Sequence, residues 1–158
     1  MQKKYNELCF HNIVKHVKWW TWQELNWGME NNIIDKRDII DYAKEILDEQ
    51  TKEFDVVLEV SISEEYEDIS KYLDILVSSE DKQDDSDIED KWRYVIIQDL
   101  YNNQTKYENV YENIETVYSD FDYPEDMVGF IRYMPSNSGC SFEESWEKYL
   151  GVARERFN

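Results

Sequence analysis

The sequence contains few of the residues that build loops and disulfides. Its 158 residues include four glycines and two prolines, which disfavours long loops, turn-rich β-sandwiches and glycine-built nucleotide sites. Two cysteines are too few for a disulfide scaffold. No apolar run approaches the roughly 20 residues that a membrane-spanning helix requires.

Basic residues are also scarce. The chain has 17 of them against 36 acidic residues, which gives a formal net charge of −19. Phosphate backbones and anionic membranes attract positive surfaces. The composition therefore argues against nonspecific binding to nucleic acid or to a membrane.

Aromatic side chains, by contrast, are abundant at 15% of the residues. They provide material for a packed core, whereas solvated acidic tails are poor in aromatic residues. We therefore expect a single helical domain over residues 1–158.

The first ten residues are not followed by an apolar segment, so no secretory signal is visible. We expect a cytoplasmic protein in which Cys9 and Cys140 are reduced thiols, with one bridge between them as the alternative.

The hydrophobic spacing predicts helices along most of the chain. A broad apolar face runs from Leu8 to Trp20, and Pro124 followed by two acidic residues predicts a short helix through Tyr133. Other helix starts are predicted from capping residues. These are Thr21 with Glu24, Asp35, Asp87, Thr105 with Glu108, and Ser141 with Glu144.

The apolar residues between positions 54 and 62 fit both the spacing of a strand and the spacing of a helix. Apolar and polar residues alternate as in a strand, yet Phe54, Val57, Leu58 and Ile62 also share one helical face. A lone strand needs a partner, so a helix is favoured and one short hairpin is the alternative. The predicted fold class is all-α, an irregular bundle or stacked helix pairs.

Charge is distributed unevenly along the chain. Residues 41–90 contain 19 acidic and four basic side chains, a net charge of −15. The densest run predicts an acidic loop between two helices near residues 79–90. One interpretation is a solvated loop that keeps the protein soluble. The other is an electrostatic landing surface for a basic partner.

No residue pattern predicts a metal or cofactor site. Cys9, His11 and His16 do not fall on one face of a helix, and the acidic run lacks the glycine and glutamate of a calcium loop. We expect no metal and no cofactor. Cys140 lies in a polar loop just before a helix start and is the one candidate nucleophile. The tryptophans are expected mainly in the core, with Trp19 as the one that is partly exposed.

Several stretches of the chain resemble a known family. They are Trp19–Gly28, Asp41–Ala43, Lys91–Tyr94, Val117–Glu125 and Phe130–Pro135. The most specific part is the Tyr-x-Asp-Phe-x-Tyr-Pro run from Tyr118 to Pro124. Together they resemble a bacterial family known only as domain of unknown function 2247. Such families are similar to the immunity proteins of bacterial toxin systems, which implies a small acidic helical domain that blocks a toxin. The resemblance implies no catalytic residues.

The same run from Tyr118 to Pro124 also has a structural interpretation. Asp122 is expected to cap the helix that begins at Pro124. Phe121 and Tyr123 are expected to anchor the turn in the core.

The leading hypothesis is a noncatalytic inhibitor that binds a basic toxin domain of the nuclease type. The charge concentration motivates it, because carboxylates can steer a basic partner and occupy its phosphate-binding groove. The predicted partner-binding residues are Glu64, Glu65, Tyr66, Glu67, Asp68, Tyr72, Asp84, Asp85 and Asp87. Two alternatives stay open: a small cytoplasmic enzyme that uses Cys140 or an acid pair, and a nucleic-acid mimic that acts on a DNA-binding protein.

Overall fold

A computed structural model of the chain describes Tyr5 and residues 10–135 and 139–158, without the side chains of residues 11 and 12. Within these residues the fold is all-α, as predicted, with eight α-helices and no strand. The α-helices are α1 (Phe10–Ile13), α2 (Trp22–Glu30), α3 (Lys36–Ile46), α4 (Phe54–Ser61), α5 (Ser70–Ser78), α6 (Asp85–Asn102), α7 (Val110–Asp120) and α8 (Phe142–Phe157). Three 3-10 helices cover Val14–His16, Gln104–Lys106 and Glu125–Phe130. None of the helices in this part of the chain is both long enough and apolar enough to cross a bilayer.

The contacts within the chain divide it into two compact units. The first contains Trp19–Ile88 together with Phe10, and the second contains Asn12–Lys18 and Glu89–Asn158. The expectation of a single domain over the whole chain stays a prediction.

The first unit is built from helices that follow one another in the chain. Helix α3 packs on α4, α4 packs on α5, and α5 packs on α2. An aromatic group supports one end of this core, where the Tyr42 ring contacts Phe10 and Trp22 at centroid distances of 6.4 and 5.8 Å. The Tyr42 hydroxyl also donates to the Trp20 carbonyl at 3.3 Å, so this buried hydroxyl is satisfied.

The second unit is organised around α6. All residues from 91 to 100 are buried, as expected for a helix that is surrounded by protein on every side. Helix α8 packs on the 3-10 helix Glu125–Phe130. The two elements approach closely at Gly129, where an added Cβ atom would lie 2.9 Å from the side chain of Ser145. The absence of a side chain at this position is therefore required by the packing.

Three of the predicted helix caps are confirmed. The Thr21 hydroxyl accepts from the Glu24 backbone N–H, and the Glu24 carboxylate accepts from the Thr21 N–H. Asp35 forms the same reciprocal motif with Asp38. Ser141 accepts from the Glu144 N–H at the start of α8. Each motif uses contacts within three residues, which is why the sequence alone reveals it.

Two predicted caps are wrong. Thr105 lies inside a 3-10 helix, and α7 begins four residues later than predicted from that motif, with Asn109 as its N-cap. Asparagine competes well with threonine at this position. Asp87 lies in the first turn of α6, because the Asp84 carbonyl accepts from the Asp87 and Ile88 N–H groups. The acidic loop before this helix therefore ends at Asp84.

The joint before Pro124 also differs from the prediction. Asp122 and Tyr123 have left-handed backbones, with φ of 60° and 57°, and Tyr123 donates its N–H to the Tyr118 carbonyl at 2.8 Å. Both residues therefore terminate α7, and Asp122 does not cap the following helix. Tyr123 is exposed, so the expectation that it anchors the core is wrong. The helix after Pro124 is a 3-10 helix that ends at Phe130 and does not reach Tyr133.

Two further helix predictions concern residues 54–62 and the stretch from Leu8 to Trp20. Residues 54–61 are helical, which confirms the favoured interpretation and excludes the hairpin there. The predicted helical face from Leu8 to Trp20 is shorter than expected, because α1 gives way to a 3-10 helix and Val17 is extended. Leu8 lies outside the described residues.

The two threonine motifs provide a stability test. We expect Thr21→Ala to lower the free energy of unfolding by about 1–2 kcal/mol, because it removes the acceptor for an otherwise unpaired helix N–H. Thr105→Ala is the matched control, since Thr105 is exposed and caps no α-helix, and its effect should stay within about 0.5 kcal/mol. Urea denaturation followed by circular dichroism measures both. Equal losses for the two variants would contradict the assignment of the caps.

Candidate functional site

The predicted partner-binding residues lie at the two ends of α5. One group is in the loop between α4 and α5, and the other is at the start of α6. Helix α5 has nine residues, so about 13 Å of helix separates the two groups along the chain. The first group consists of Glu64, Glu65, Tyr66, Glu67 and Asp68; the second consists of Asp84, Asp85 and Asp87; Tyr72 lies on α5 itself.

The loop before α5 is held by the first turn of α3. Lys36 Nζ donates to the carbonyls of Glu65 and Glu67. The Arg37 guanidinium pairs with the Glu65 carboxylate at 2.6 Å, and the Glu67 carboxylate accepts from the Glu64 N–H at 2.9 Å. Glu65 and Glu67 therefore fix the loop. Between them Tyr66 projects outward with 86% of its surface exposed.

Asp68 also has a structural role. Its carboxylate accepts from the Ser70 hydroxyl and the Ser70 backbone N–H at the start of α5. These two hydrogen bonds lower the pKa of Asp68 below its ordinary value. The charge of this residue therefore orients the first turn of the helix as well as adding to the acidic surface.

Glu80 is an acidic residue whose role the sequence patterns missed. Its carboxylate accepts from the Trp22 and Gln23 N–H groups, both at 3.0 Å, at the start of α2. The neighbouring Gln83 binds Gln23 and Glu24. The loop after α5 is thus fastened to the N-terminus of α2, where a negative charge is favourable. Its partner lies nearly 60 residues away in the chain, so no local motif marks it.

The second group of acidic residues is exposed at the start of α6. Asp85 and Asp87 lie in its first turn, where carboxylates are favourable near the positive end of the helix. Tyr72 is half-buried, and the Lys71 ammonium lies 4.9 Å from its ring centre. Of the two predicted aromatic anchors, only Tyr66 is fully exposed.

Helix α4 presents an apolar stripe at its surface. The buried positions of this helix are Val57, Val60 and Ser61. Phe54 and Ile62, which share a helical face with Val57 in the sequence pattern, are 40% and 62% exposed. Because α4 packs between α3 and α5, contacts with these two helices decide which of its faces is buried. The signal that marks the stripe is the spacing of four residues from Phe54 through the half-buried Leu58 to Ile62.

The second unit contains a cavity of about 500 Å³, here called the α8 cavity. One face of α8 forms its longest wall, and the others come from α6, the 3-10 helix Glu125–Phe130 and the segments that flank residues 136–138. The lining residues are Asp90, Arg93, Asp126, Val128, Gly129, Pro135, Cys140, Ser145, Lys148, Tyr149, Val152, Ala153, Arg156 and Phe157.

Arg93 is fixed at one wall of the α8 cavity. Its side chain is only 7% exposed and pairs with Asp90 at 3.0 Å and with Asp126. Asp90 also accepts from the Arg156 guanidinium at 2.7 Å, and the Tyr149 ring centre lies 5.5 Å from the Arg93 guanidinium. A buried guanidinium is tolerated because these partners compensate for its desolvation.

Tyr149 is the buried aromatic residue of the α8 cavity. It is 8% exposed, and burial raises the pKa of its phenol well above the ordinary value. Its hydroxyl has no hydrogen-bond partner among the described residues. It is also not sealed off, because the only fully enclosed unpaired side-chain atoms in this part of the chain are His16 Nε2 and Trp146 Nε1. The hydroxyl is therefore accessible, and it belongs to a residue that lines the α8 cavity.

Cys140, the candidate nucleophile, is exposed and lines the same cavity. Histidine is absent from the lining residues given above. His16 lies 3.6 Å from the Asp99 carboxylate, whereas Cys9 and the side chain of His11 lie outside the described residues. Within the described part of the chain, no three histidine, cysteine or acidic side chains are grouped as metal ligands.

The four tryptophans between positions 19 and 27 differ in how far they are buried. Trp20 and Trp22 are buried, while Trp19 is 69% exposed. Trp27 is half-buried. The expectation of a mainly structural tryptophan group with an exposed Trp19 is confirmed.

Comparison with known proteins gives a family and no function. The family model for an uncharacterised protein conserved in bacteria (DUF2247) matches residues 10–154. The chain belongs to this family. The match confirms the resemblance to this family and extends it through most of α8, and it does not test the likeness to immunity proteins. No curated protein and no solved structure matches the chain.

Two arginine pairs of this DUF2247 protein provide a second stability test. We expect Arg93→Met to lower the free energy of unfolding by about 1.5–3 kcal/mol, because it removes charge-assisted hydrogen bonds to Asp90 and to Asp126, whose side chain is 55% exposed. Arg132→Met is the control, since Arg132 pairs with Glu115 on the surface and should cost below about 1 kcal/mol. Chemical denaturation at pH 7 measures both. A loss for Arg93→Met that does not exceed the control would contradict the structural role of the buried pair.

Proposed function

We propose that this DUF2247 protein is a noncatalytic acidic binding protein that acts in the cytoplasm as an immunity-type inhibitor of a basic toxin domain. One observation carries the proposal. Tyr66 is 86% exposed in a loop flanked by carboxylates, within a segment of net charge −15. Exposed aromatic residues at the centre of a charged surface are the usual anchors of protein interfaces.

The apolar stripe of α4 extends this anchor. Ile62 directly follows α4, and Tyr66 is four residues further along the chain. Phe54 and Ile62 are exposed between acidic residues such as Asp55 and Glu59. Burial of such side chains supplies affinity, while the surrounding charges supply orientation and rate.

The carboxylates of this surface divide into two roles. Glu65, Glu67 and Asp68 are engaged in holding the loop, as described above. The carboxylates of Glu64, Asp84 and Asp85 are exposed, and none of them forms an ion pair or a hydrogen bond with a described residue. These carboxylates can meet a basic partner without first breaking a contact within the chain. We assign the electrostatic steering to them and the desolvated contact to Tyr66.

The mechanism that follows is steric and electrostatic. A toxin domain of the nuclease type carries a basic groove that holds a phosphate backbone. Carboxylates steer that groove towards this surface and raise the association rate. Occupation of the groove then excludes the nucleic acid, and no covalent step is required.

The first test is affinity capture from the native bacterium with the tagged full-length protein. We expect one basic protein to be retained at stoichiometric amounts and released as salt is raised, because salt screens the charge attraction. Expression of that partner alone should arrest growth, and coexpression of this protein should restore it. A DNA-binding partner that is harmless on its own would favour a nucleic-acid mimic. Retention of no partner at any salt concentration would contradict the proposal.

The surface assignment is tested on the purified partner by biolayer interferometry. We expect Glu64→Lys combined with Asp84→Lys to lower the association rate at least tenfold at low salt. Tyr66→Ala should raise the dissociation rate about tenfold or more. Glu112→Lys combined with Glu155→Lys has the same charge change in the second unit, and Tyr133→Ala removes a tyrosine that is 59% exposed. Equal effects of the test and control variants would show that the chosen surface is wrong.

A further inference from the structure

The α8 cavity lies outside the proposed partner surface and contains none of its residues. Its volume of about 500 Å³ is within the range of natural small-molecule sites, which are mostly apolar with a few convergent polar groups. Three side chains of α8, Ser145, Lys148 and Tyr149, bring a hydroxyl, an ammonium group and a phenol to its wall. Lys148 and Tyr149 lie three and four residues after Ser145, so their side chains flank that of Ser145 on either side along the helix surface.

The Tyr149 hydroxyl is the strongest indication of a ligand. More than nine tenths of this side chain is buried, and its hydroxyl has no partner among the described residues. An accessible polar group is hydrated in the absence of a ligand, and a ligand can replace that water when its own acceptor reproduces the hydrogen bond. A phenol is protonated at neutral pH, so this hydroxyl is available as a donor. A ligand acceptor in the cavity would satisfy it.

The charges of the cavity specify the sign of that ligand. Arg93 and Arg156 are compensated by Asp90 and Asp126. Lys148 is the remaining charge, and it forms no ion pair with any described residue. The lining thus has a net charge of +1 in a chain of net charge −19. A ligand with one negative charge neutralises this lining. A phosphate dianion would leave it with a net charge of −1, close to the carboxylates of Asp90 and Asp126.

The rest of the wall is apolar. Val128, Pro135 and Val152 line the cavity together with Phe157, whose ring stacks on Tyr94 at a centroid distance of 5.7 Å. Val152 is 66% exposed, so its side chain is accessible to a ligand. An apolar group of a ligand would cover it.

We propose that the α8 cavity binds a small organic monoanion, with its carboxylate between Lys148 and Tyr149 and its apolar or aromatic body against Val152 and Phe157. Charge-assisted hydrogen bonds from an ammonium and a phenol suit a carboxylate. The planar apolar body matches the aromatic and branched wall. No residue of the proposed toxin-binding surface is involved, so the two proposals succeed or fail separately.

The test is a nuclear magnetic resonance titration of the full-length ¹⁵N-labelled protein. The probes are 2-naphthaleneacetate and indole-3-acetate, each beside its neutral amide and the corresponding arylethylamine. We expect the two acids to shift the backbone resonances of residues 145–157, with affinities at least tenfold above those of the amides and amines. An amide or amine that binds as tightly as its acid would overturn the assignment. Absence of a shift with both acids would overturn the site itself.

Variants assign the binding to the named groups. Lys148→Met should weaken the acids about tenfold and leave the amides unchanged, because it removes only the charge. Tyr149→Phe should weaken the acids severalfold while keeping the ring beside Arg93. Lys106→Met is the control for a lysine outside the cavity. Equal affinities of all three variants and the natural chain would overturn the proposal.

Two further measurements do not depend on the folding of those variants. Val152→Trp, at an exposed position on the wall, should fill the cavity and abolish binding of every probe with an unchanged circular dichroism spectrum. Saturating 2-naphthaleneacetate should slow alkylation of Cys140 in the natural chain at least fivefold, read by peptide mass spectrometry, because this thiol lines the cavity. Alkylation at an unchanged rate, together with undiminished binding to Val152→Trp, would place the ligand elsewhere.

Discussion

The second unit depends on the burial of α6. Ten consecutive residues of this helix are buried, and Arg93, Gln98 and Asp99 are among them. Taking such groups out of water costs several kcal/mol unless partners replace the solvent. Two of them have a partner on another segment of the unit: Asp126 for Arg93, and Arg154 for Gln98 at 3.0 Å. Asp99 accepts from the Asn103 side chain at 3.3 Å, one turn further along the chain. This requirement ties the 3-10 helix Glu125–Phe130 and α8 to α6, and it leaves the α8 cavity between them.

Carboxylates in the first unit serve structure and surface at once. Glu80 supplies the negative charge at the start of α2, and Glu65 and Glu67 hold the loop before α5 to α3. A strongly acidic composition alone does not distinguish these roles from a binding surface. The distinction comes from which carboxylates accept hydrogen bonds within the chain. The carboxylates of Glu64, Asp84 and Asp85 accept no hydrogen bond from a described residue, and Tyr66 is exposed near the first of them.

The two units provide surfaces of opposite character. The exposed carboxylates and apolar stripe of the first suit a large basic partner, whose charge is attracted over many residues. The α8 cavity of the second is small, mainly apolar and locally positive, which suits a small anion. This member of the family therefore carries two distinct binding hypotheses, each with its own residues and its own measurement.

The sequence by itself determined the features that depend on neighbouring residues. The helical class, the caps at Thr21, Asp35 and Ser141, and the helix over residues 54–61 follow from contacts within three or four positions. The same kind of pattern failed at Thr105, where a competing Asn109 starts the helix. Tertiary structure alone decided which face of α4 is buried, what the Glu80 carboxylate binds and how Arg93 and Tyr149 meet in one cavity. Those outcomes depend on residues tens of positions apart, and no local spacing records which of them will pack together.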